Sequence, residues 1–250
     1  MGSITNTVKH LLIINIIFYV ATIGIGDVVF RLFALYFPEN DMFRFWQIIT
    51  SMFMHDPNGI LHILFNMMML YMFGSYIENV VGRNKFLFLY FSAGLGATGL
   101  HLLIGYFNYY PGYQALLGSG VSHTDIMAIM DTGMYNEELL KVVSTETLAT
   151  MYQTFNGTIV GASGAVFGLL AAFVLINPNL PLMIMFIPIP IKAKYLIGGY
   201  FALTVISAVS GVALAGPSNT AFWAHIGGAV IGFITMWYWK KNSFNNRRWD

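Results

Sequence analysis

The sequence predicts an all-α membrane protein with six transmembrane helices, and both its composition and the lengths of its apolar stretches lead to that prediction. Of its 250 residues, 57% are hydrophobic and 9% are charged, whereas soluble domains carry roughly 25% charged residues. The apolar residues gather into stretches of about 20 residues, the length at which a helix crosses a hydrocarbon layer of ~30 Å. This composition excludes a soluble globular protein.

The net charge of +1 gives no indication of a nucleic-acid partner, and the absence of cysteine excludes disulfides and thiolate metal sites.

Six stretches qualify as spans of one membrane domain that covers 1–250. In chain order they lie at about 11–36, 60–80, 86–107, 161–177, 195–215 and 221–239. Apolar residues occupy odd and even positions alike, with small residues interspersed, which is typical of packed membrane helices and not of β-barrel strands. The first stretch is not a short apolar core followed by an A-x-A-like site, so we expect a retained span and no cleaved signal peptide there.

The longest polar stretch, about 108–160, separates the third span from the fourth. It contains five acidic residues and one lysine, and we predict that it is an extracytoplasmic insertion. Its apolar residues from Ser122 to Phe155 have helix-compatible spacing, which predicts a surface helix.

The positive charges predict the orientation in the membrane. Short cytoplasmic loops carry an excess of Lys and Arg, and nine of the twelve such residues fall on one side: Lys9, Arg83, Lys85, Lys192, Lys194, Lys240, Lys241, Arg247 and Arg248. The other side receives Arg31, Arg44 and Lys141. Both termini should therefore be cytoplasmic, and spans 2, 4 and 6 should enter from the outer face. We expect a multi-pass protein of the bacterial cytoplasmic membrane, since no transit peptide is visible; an organellar membrane stays open as the alternative, because the charge pattern would be the same.

Three spans carry polar residues near the end that should meet the outer surface. Span 2 has His62 and Asn66, span 4 begins at Gly161 and contains Ser163, and span 6 contains His225. Intramembrane polar residues are costly and indicate function. A serine nucleophile needs a base to take its proton, and His225 is the candidate. His62, Asn66 and the Ser163 backbone N–H could stabilise an oxyanion.

Small residues on spans 4 and 6 would allow Ser163 to come within hydrogen-bond distance of His225. Gly164 and Gly168 on one span, with Gly228 and Gly232 on the other, form two small-xxx-small faces that favour close helix packing. Phe167, one turn after Ser163, could brace the imidazole. Each feature also has an ordinary structural reading, since membrane serines bond to carbonyls and lone histidines often only pack. Their convergence at one predicted depth favours a serine protease.

At these residues the sequence resembles the rhomboid family of intramembrane serine proteases. The matching elements occur in the family's order: His62 to Asn66 on the second helix, the G-x-x-x-E-x-x-x-G of Gly74, Glu78 and Gly82, the G-x-S-G of Gly161 to Gly164, and the A-H-x-x-G-x-x-x-G of Ala224 to Gly232. The resemblance implies a six-helix rhomboid-like bundle, a Ser163 nucleophile, a His225 general base and acid, and oxyanion support from His62 and Asn66. It implies no cofactor and no metal, and it implies cleavage of single-pass transmembrane proteins near the outer membrane boundary.

The sequence departs from the family pattern in three places. Trp46-Gln47 replaces the usual Trp-Arg of the first external loop, which questions how that loop is anchored. Phe167 replaces a frequent Tyr, and the 108–160 insertion is unusually long. His55 and Glu78 are expected to be structural. By resemblance, span 5 is a lateral gate, and Phe222 and Trp223 belong to a cap.

Other functions fit the sequence less well than a serine protease does. Gly24 to Asp27 spells the G-x-G-D of aspartyl intramembrane proteases, but no second intramembrane aspartate accompanies it. The H-E-x-x-H of zinc proteases is absent. A transporter would place its polar groups nearer the midplane. A non-catalytic rhomboid-like protein that binds or chaperones membrane proteins stays open as the alternative.

Overall fold

The chain is built of helices in this computed structural model, which describes residues 3–184, 187–218 and 220–242. The helices are, in chain order, α1 (Asn6–Ile25), α2 (Asp27–Phe33), α3 (Gln47–Thr50), α4 (Ile60–Met69), α5 (Ser75–Val81), α6 (Arg83–Gly118), α7 (His123–Thr132), α8 (Thr145–Asn156), α9 (Ser163–Ile176), α10 (Ala193–Ser210) and α11 (Phe222–Asn242). Short 3₁₀ helices occupy Ser51–Phe53 and Glu137–Lys141. A π-helical turn, Leu70–Gly74, joins α4 to α5.

Four helices of the described residues are long and apolar enough to cross a membrane: Asn6–Ile25, Ile60–Val81, Arg83–Gly118 and Ala193–Ser210. The apolar helix Ser163–Ile176 is shorter, with 14 residues, and α11 has 21 residues and ends in lysines. The chain is thus a helical membrane protein. The count of six spans stays a prediction.

The first predicted span, 11–36, is divided into two helices. Gly26 has φ +84°, a backbone conformation that favours glycine, and it ends α1 and begins α2. The rest of that stretch turns into the first loop, because Ala34 at the end of α2 is extended.

Helix α9 lies at the centre of the bundle, between α6 and α11. Ten of its fourteen residues are buried, and the main hydrophobic core surrounds it with residues such as Leu70, Phe86, Leu169 and Phe173. A helix that is apolar on all sides is buried on all sides. The serine that begins α9 is therefore held by the most buried α-helix of the described residues.

The region 108–160 forms a second, smaller core. Helix α6 continues to Gly118 and is about 54 Å long, well beyond a hydrocarbon layer. Its end packs against α7 and α8 through Tyr109, Met130 and Met151. The predicted surface helix from Ser122 to Phe155 is two helices, because Gly133 (φ +71°) ends α7. Whether this region faces the outside stays a prediction.

The link between α9 and α10 contains a β-hairpin that the all-α prediction did not include. Strand β1 (Pro181–Ile184) pairs antiparallel with β2 (Ile187–Lys192). Extended backbone suits this segment because Pro188 and Pro190 cannot continue a helix. Among the tail charges used for orientation, Arg247 and Arg248 lie outside the described residues.

Candidate active site

The structure brings Ser163 and His225 together. His225 Nε2 lies 2.9 Å from Ser163 Oγ, a normal distance for a hydrogen bond. Ser163 is the first residue of α9, and His225 lies in the first turn of α11. His225 is buried, with 7% of its surface exposed. A hydroxyl within hydrogen-bond reach of an enclosed imidazole is the arrangement that nucleophilic catalysis requires.

Glycine contacts between α9 and α11 set this distance. A Cβ atom at Gly228 would overlap the carbonyl oxygen of Gly164, and one at Gly232 would overlap the backbone of Gly168. The two helix backbones therefore touch without intervening side chains. The predicted packing residues lie where the helices cross, directly below the serine and the histidine.

The chain enters α9 through a constrained turn at Gly161. This residue has φ +122°, and its N–H donates to the Ser51 carbonyl over 3.0 Å. Two residues earlier, Ile159 and Leu35 exchange backbone hydrogen bonds of 2.9 and 3.1 Å. The first loop thus holds the segment that leads into the serine.

Phe167 braces the histidine. Its ring stacks on the His225 ring with centroids 4.1 Å apart and planes at 15°, and its other neighbour is Tyr200 of α10, at 5.3 Å. Among the described residues, the buried Nδ1 of His225 has no hydrogen-bond partner. The imidazole is therefore oriented by ring stacking and by Ser163, without a carboxylate.

His62 borders the same space as the serine. A Cβ atom at Gly161 would lie 3.0 Å from His62 Nε2 and 3.6 Å from Ser163 Oγ, so only a glycine leaves this gap open. Asn66 is buried, and its side-chain amide donates to the His62 carbonyl over 2.8 Å. Of the two side chains expected to act as oxyanion donors, His62 thus lies beside the serine, whereas Asn66 bonds to the backbone one turn earlier.

Gln47 anchors the first loop from its interior. Its Oε1 accepts from the Arg44 N–H at 3.0 Å, and its Nε2 donates to the Arg31 and Met42 carbonyls at 3.1 and 3.0 Å. The side chain is fully buried. The exchange of Arg for Gln therefore leaves the loop anchored, contrary to the doubt that the sequence raised.

His55 supports His62 from behind. The two rings lie 5.2 Å apart, and His55 is fully buried. Burial, with a contribution from the neighbouring His62, lowers the pKa of His55 to about 3. His55 is thus a neutral packing residue of the loop, as expected.

Two residues of this site were missed by the sequence analysis. Ala93 and Ala97 of α6 would be overlapped by Cβ atoms at Gly168 and Gly164, respectively. They make α6 the third helix of the close contact. Their own small-xxx-small spacing was a readable signal.

Comparison with known proteins gives two matches. A family model described as the Rhomboid domain matches residues 42–242. The "Rhomboid protease AarA" of Providencia stuartii is 30% identical over 199 residues, which are 76% of this chain and 54% of that protein. The chain thus spans about half the length of this curated relative. Within the described residues, no group of three or more His, Cys, Asp or Glu side chains is placed to hold a metal ion.

Proposed function

The chain belongs to the rhomboid family, and from that membership we propose that it is an intramembrane serine endopeptidase with Ser163 as nucleophile and His225 as general base and acid. The observation that carries the proposal is the 2.9 Å separation of Ser163 Oγ and His225 Nε2. Two helices with touching backbones maintain it. The similarity to a named rhomboid protease supports the same activity.

The proposed reaction has two stages. Ser163 Oγ attacks the carbonyl carbon of the scissile peptide bond while its proton passes to His225 Nε2. The C–N bond then breaks, and His225 returns the proton to the leaving amine. In the second stage His225 deprotonates a water molecule, whose oxygen attacks the acyl carbon of the acyl-serine ester. The bond between that carbon and Ser163 Oγ then breaks, His225 returns the proton to Oγ, and the new C-terminal carboxyl group of the substrate leaves. No cofactor takes part.

The charge that develops on the carbonyl oxygen needs donors close to Ser163. The Ser163 backbone N–H is free of the helix ladder because it belongs to the first turn of α9. His62 Nε2 borders the same gap beside Gly161. The Asn66 amide uses one hydrogen on the His62 carbonyl and has a second to offer. Losing one such donor typically costs about 3 kcal/mol of transition-state stabilisation.

The proposed substrates are single-pass transmembrane proteins, cut near the outer membrane boundary. We propose six spans, formed by α1, α4 with α5, α6, α9, α10 and α11, with both termini in the cytoplasm. The sorting of the lysines supports this orientation: Lys85, Lys194, Lys240 and Lys241 lie at one end of the bundle, and Ser163 lies at the other. Substrate and cleavage position are proposed from the family.

The test is cleavage of a reporter single-pass protein by purified protein in lipid vesicles, together with labelling by a fluorophosphonate serine probe. Ser163→Ala and His225→Ala should each abolish cleavage, and Ser163→Ala should abolish labelling. The matched control is Ser75→Ala, because Ser75 is also a buried membrane serine and lies in α5, away from the site. It should retain both signals.

This experiment also decides the non-catalytic alternative. A binding protein would hold the reporter without cutting it, and Ser163→Ala would leave that binding unchanged. Cleavage that persists in a folded Ser163→Ala protein would reject the proposed nucleophile.

A further inference from the structure

The β-hairpin before α10 carries two apolar side chains that nothing in the described part of the chain covers. Met183 is 68% exposed and Ile189 is 61% exposed. The neighbouring Leu182 lies on the other face of β1 from Met183 and contacts the main core. An isolated two-stranded hairpin is marginally stable in water, so exposed apolar side chains on such a unit indicate a partner.

The surroundings of the hairpin are cationic. Lys192 ends β2, Lys194 is the second residue of α10, and both are exposed. The sequence contains no Asp or Glu from 177 to 221. The partner that this surface fits is therefore apolar in one part and negatively charged in the next.

Lysine–aromatic pairs mark the same end of the bundle. Lys194 lies over the Tyr195 ring at 5.1 Å, Lys85 over Trp239 at 5.6 Å, and Lys241 over Trp237 at 5.1 Å. These three are the cation–π pairs of the described residues. Trp, Tyr and Lys together are typical of the level of lipid headgroups. The hairpin thus stands at a membrane–water boundary.

The backbone of the hairpin limits how deep it can lie. Open strand edges do not occur in the hydrocarbon region because their N–H and C=O groups would be unsatisfied. Pro181, Pro188 and Pro190 have no N–H, which reduces the number of donors at the edges. A position in the headgroup region, with side chains reaching the acyl chains, satisfies both constraints.

We propose that the hairpin is a binding surface for anionic phospholipids, in which Met183 and Ile189 contact acyl chains while Lys192 and Lys194 contact the phosphate-bearing headgroup. Bound lipid would hold the start of α10 at the membrane surface. Two backbone hydrogen bonds tie that end to the chain before the hairpin: the Ala193 N–H donates to the Leu180 carbonyl and the Lys194 N–H to the Pro178 carbonyl. The inference does not depend on proteolysis.

The depth of the hairpin is tested with single cysteines, which label uniquely because the chain has none. Met183→Cys and Ile189→Cys carry a nitroxide in phosphatidylglycerol-containing vesicles, and its relaxation by oxygen and by a polar nickel chelate is compared. Met134→Cys is the water reference, since Met134 is 74% exposed between α7 and α8. Ile206→Cys of α10, 49% exposed, is the lipid reference. Met183 and Ile189 should resemble Ile206, and behaviour like that of Met134 would overturn the proposal.

The charge preference is tested with a fluorophore on the same Met183→Cys protein. Phosphatidylglycerol with brominated acyl chains should quench it more than brominated phosphatidylcholine at an equal mole fraction. Each lysine near an anionic surface enriches such lipid roughly fivefold. Lys192→Gln with Lys194→Gln should bring the two quenching curves together, whereas Lys141→Gln should not.

High salt provides the same test without substitutions. At 1 M salt the Debye length is about 3 Å, so the difference between the two lipids should shrink in the parent protein. Equal quenching by both lipids at low salt would overturn the proposal. Because no substrate is cleaved, this result is independent of the outcome for Ser163.

Discussion

Helices α11 and α10 both flank α9, but they pack in opposite ways. On the α11 side, Gly164 and Gly228 bring the two backbones into contact. On the α10 side, a cavity of about 270 Å³ lies between the helices, lined by apolar residues of α9, α10 and α11 that include Phe167 and Gly198. Eight of 21 residues are buried in α11, against three of 18 in α10.

This difference in packing suits two requirements of the proposed enzyme, a fixed catalytic pair and a path for the substrate. The nucleophile and the base must keep a fixed distance, and close-packed backbones deform little. A substrate helix must reach them from the bilayer, and an open, weakly packed helix moves at lower cost. We therefore expect substitutions on the α11 side to affect folding or chemistry, and substitutions on the α10 side to be tolerated.

The largest expected effect is the difference in stability between two glycine-to-alanine variants, one on the α11 side and one on the α10 side. In Gly228→Ala the new Cβ would overlap the Gly164 carbonyl, and such overpacking costs about 1–3 kcal/mol or more. In Gly198→Ala the Cβ meets nothing within 4 Å, and alanine favours a helix over glycine by about 1 kcal/mol. Thermal unfolding in detergent should show a lower Tm for the first variant and an equal or higher Tm for the second. An equal decrease of Tm in both variants would show that the α10 side is packed as closely as the α11 side.

The next largest effect is expected for Gln47→Ala, in the first loop that holds the segment leading into α9. Gln47→Ala removes the side-chain partner of three part-buried backbone groups; a fully buried group left unsatisfied costs about 1–3 kcal/mol. Because the loop can relax and expose these groups to water, the loss of unfolding free energy should be about 1–2 kcal/mol, less than in Gly228→Ala. The control is Gln153→Ala, because Gln153 is exposed on α8 and should change little. A similar small change in both would mean that the loop is held elsewhere.

The sequence predicted those parts of the fold and the candidate site that depend on local pattern. Apolar stretches gave the helices, and the spacing of Gly164, Gly168, Gly228 and Gly232 gave the helix contact. It could not show that Gln47 anchors the loop, since the carbonyls it binds are brought together only when residues 31–44 fold back. The hairpin was missed because a short apolar run with prolines has no distinctive period.

The pH dependence of stability tests the first loop, where His55 is buried beside His62. The pKa of His55 is about 3 in the folded protein, against about 6.5 when unfolded. Below pH 6.5 the unfolded chain therefore binds a proton that the folded chain does not, and stability falls as the pH falls from 6.5 toward 3. From pH 7.5 to 5.5 this amounts to about 1.4 kcal/mol. The fall in Tm between these pH values should be smaller in His55→Gln, and an unchanged fall would show that His55 is not responsible.

Phe167 contacts both the α11 side and the α10 side of α9. Its substitution has the smallest expected effect. Its ring stacks on His225 and lines the cavity toward α10. Phe167→Leu keeps apolar bulk but removes the stacking, which contributes about 0.5–1.5 kcal/mol. If the ring orients the imidazole, kcat should fall by about two- to tenfold with KM nearly unchanged, and Phe167→Tyr should restore kcat.

If Phe167 instead forms part of the substrate path along α10, KM should rise while kcat stays constant. Reporter cleavage measured over a range of substrate densities separates these outcomes and assigns Phe167 to one side of the site.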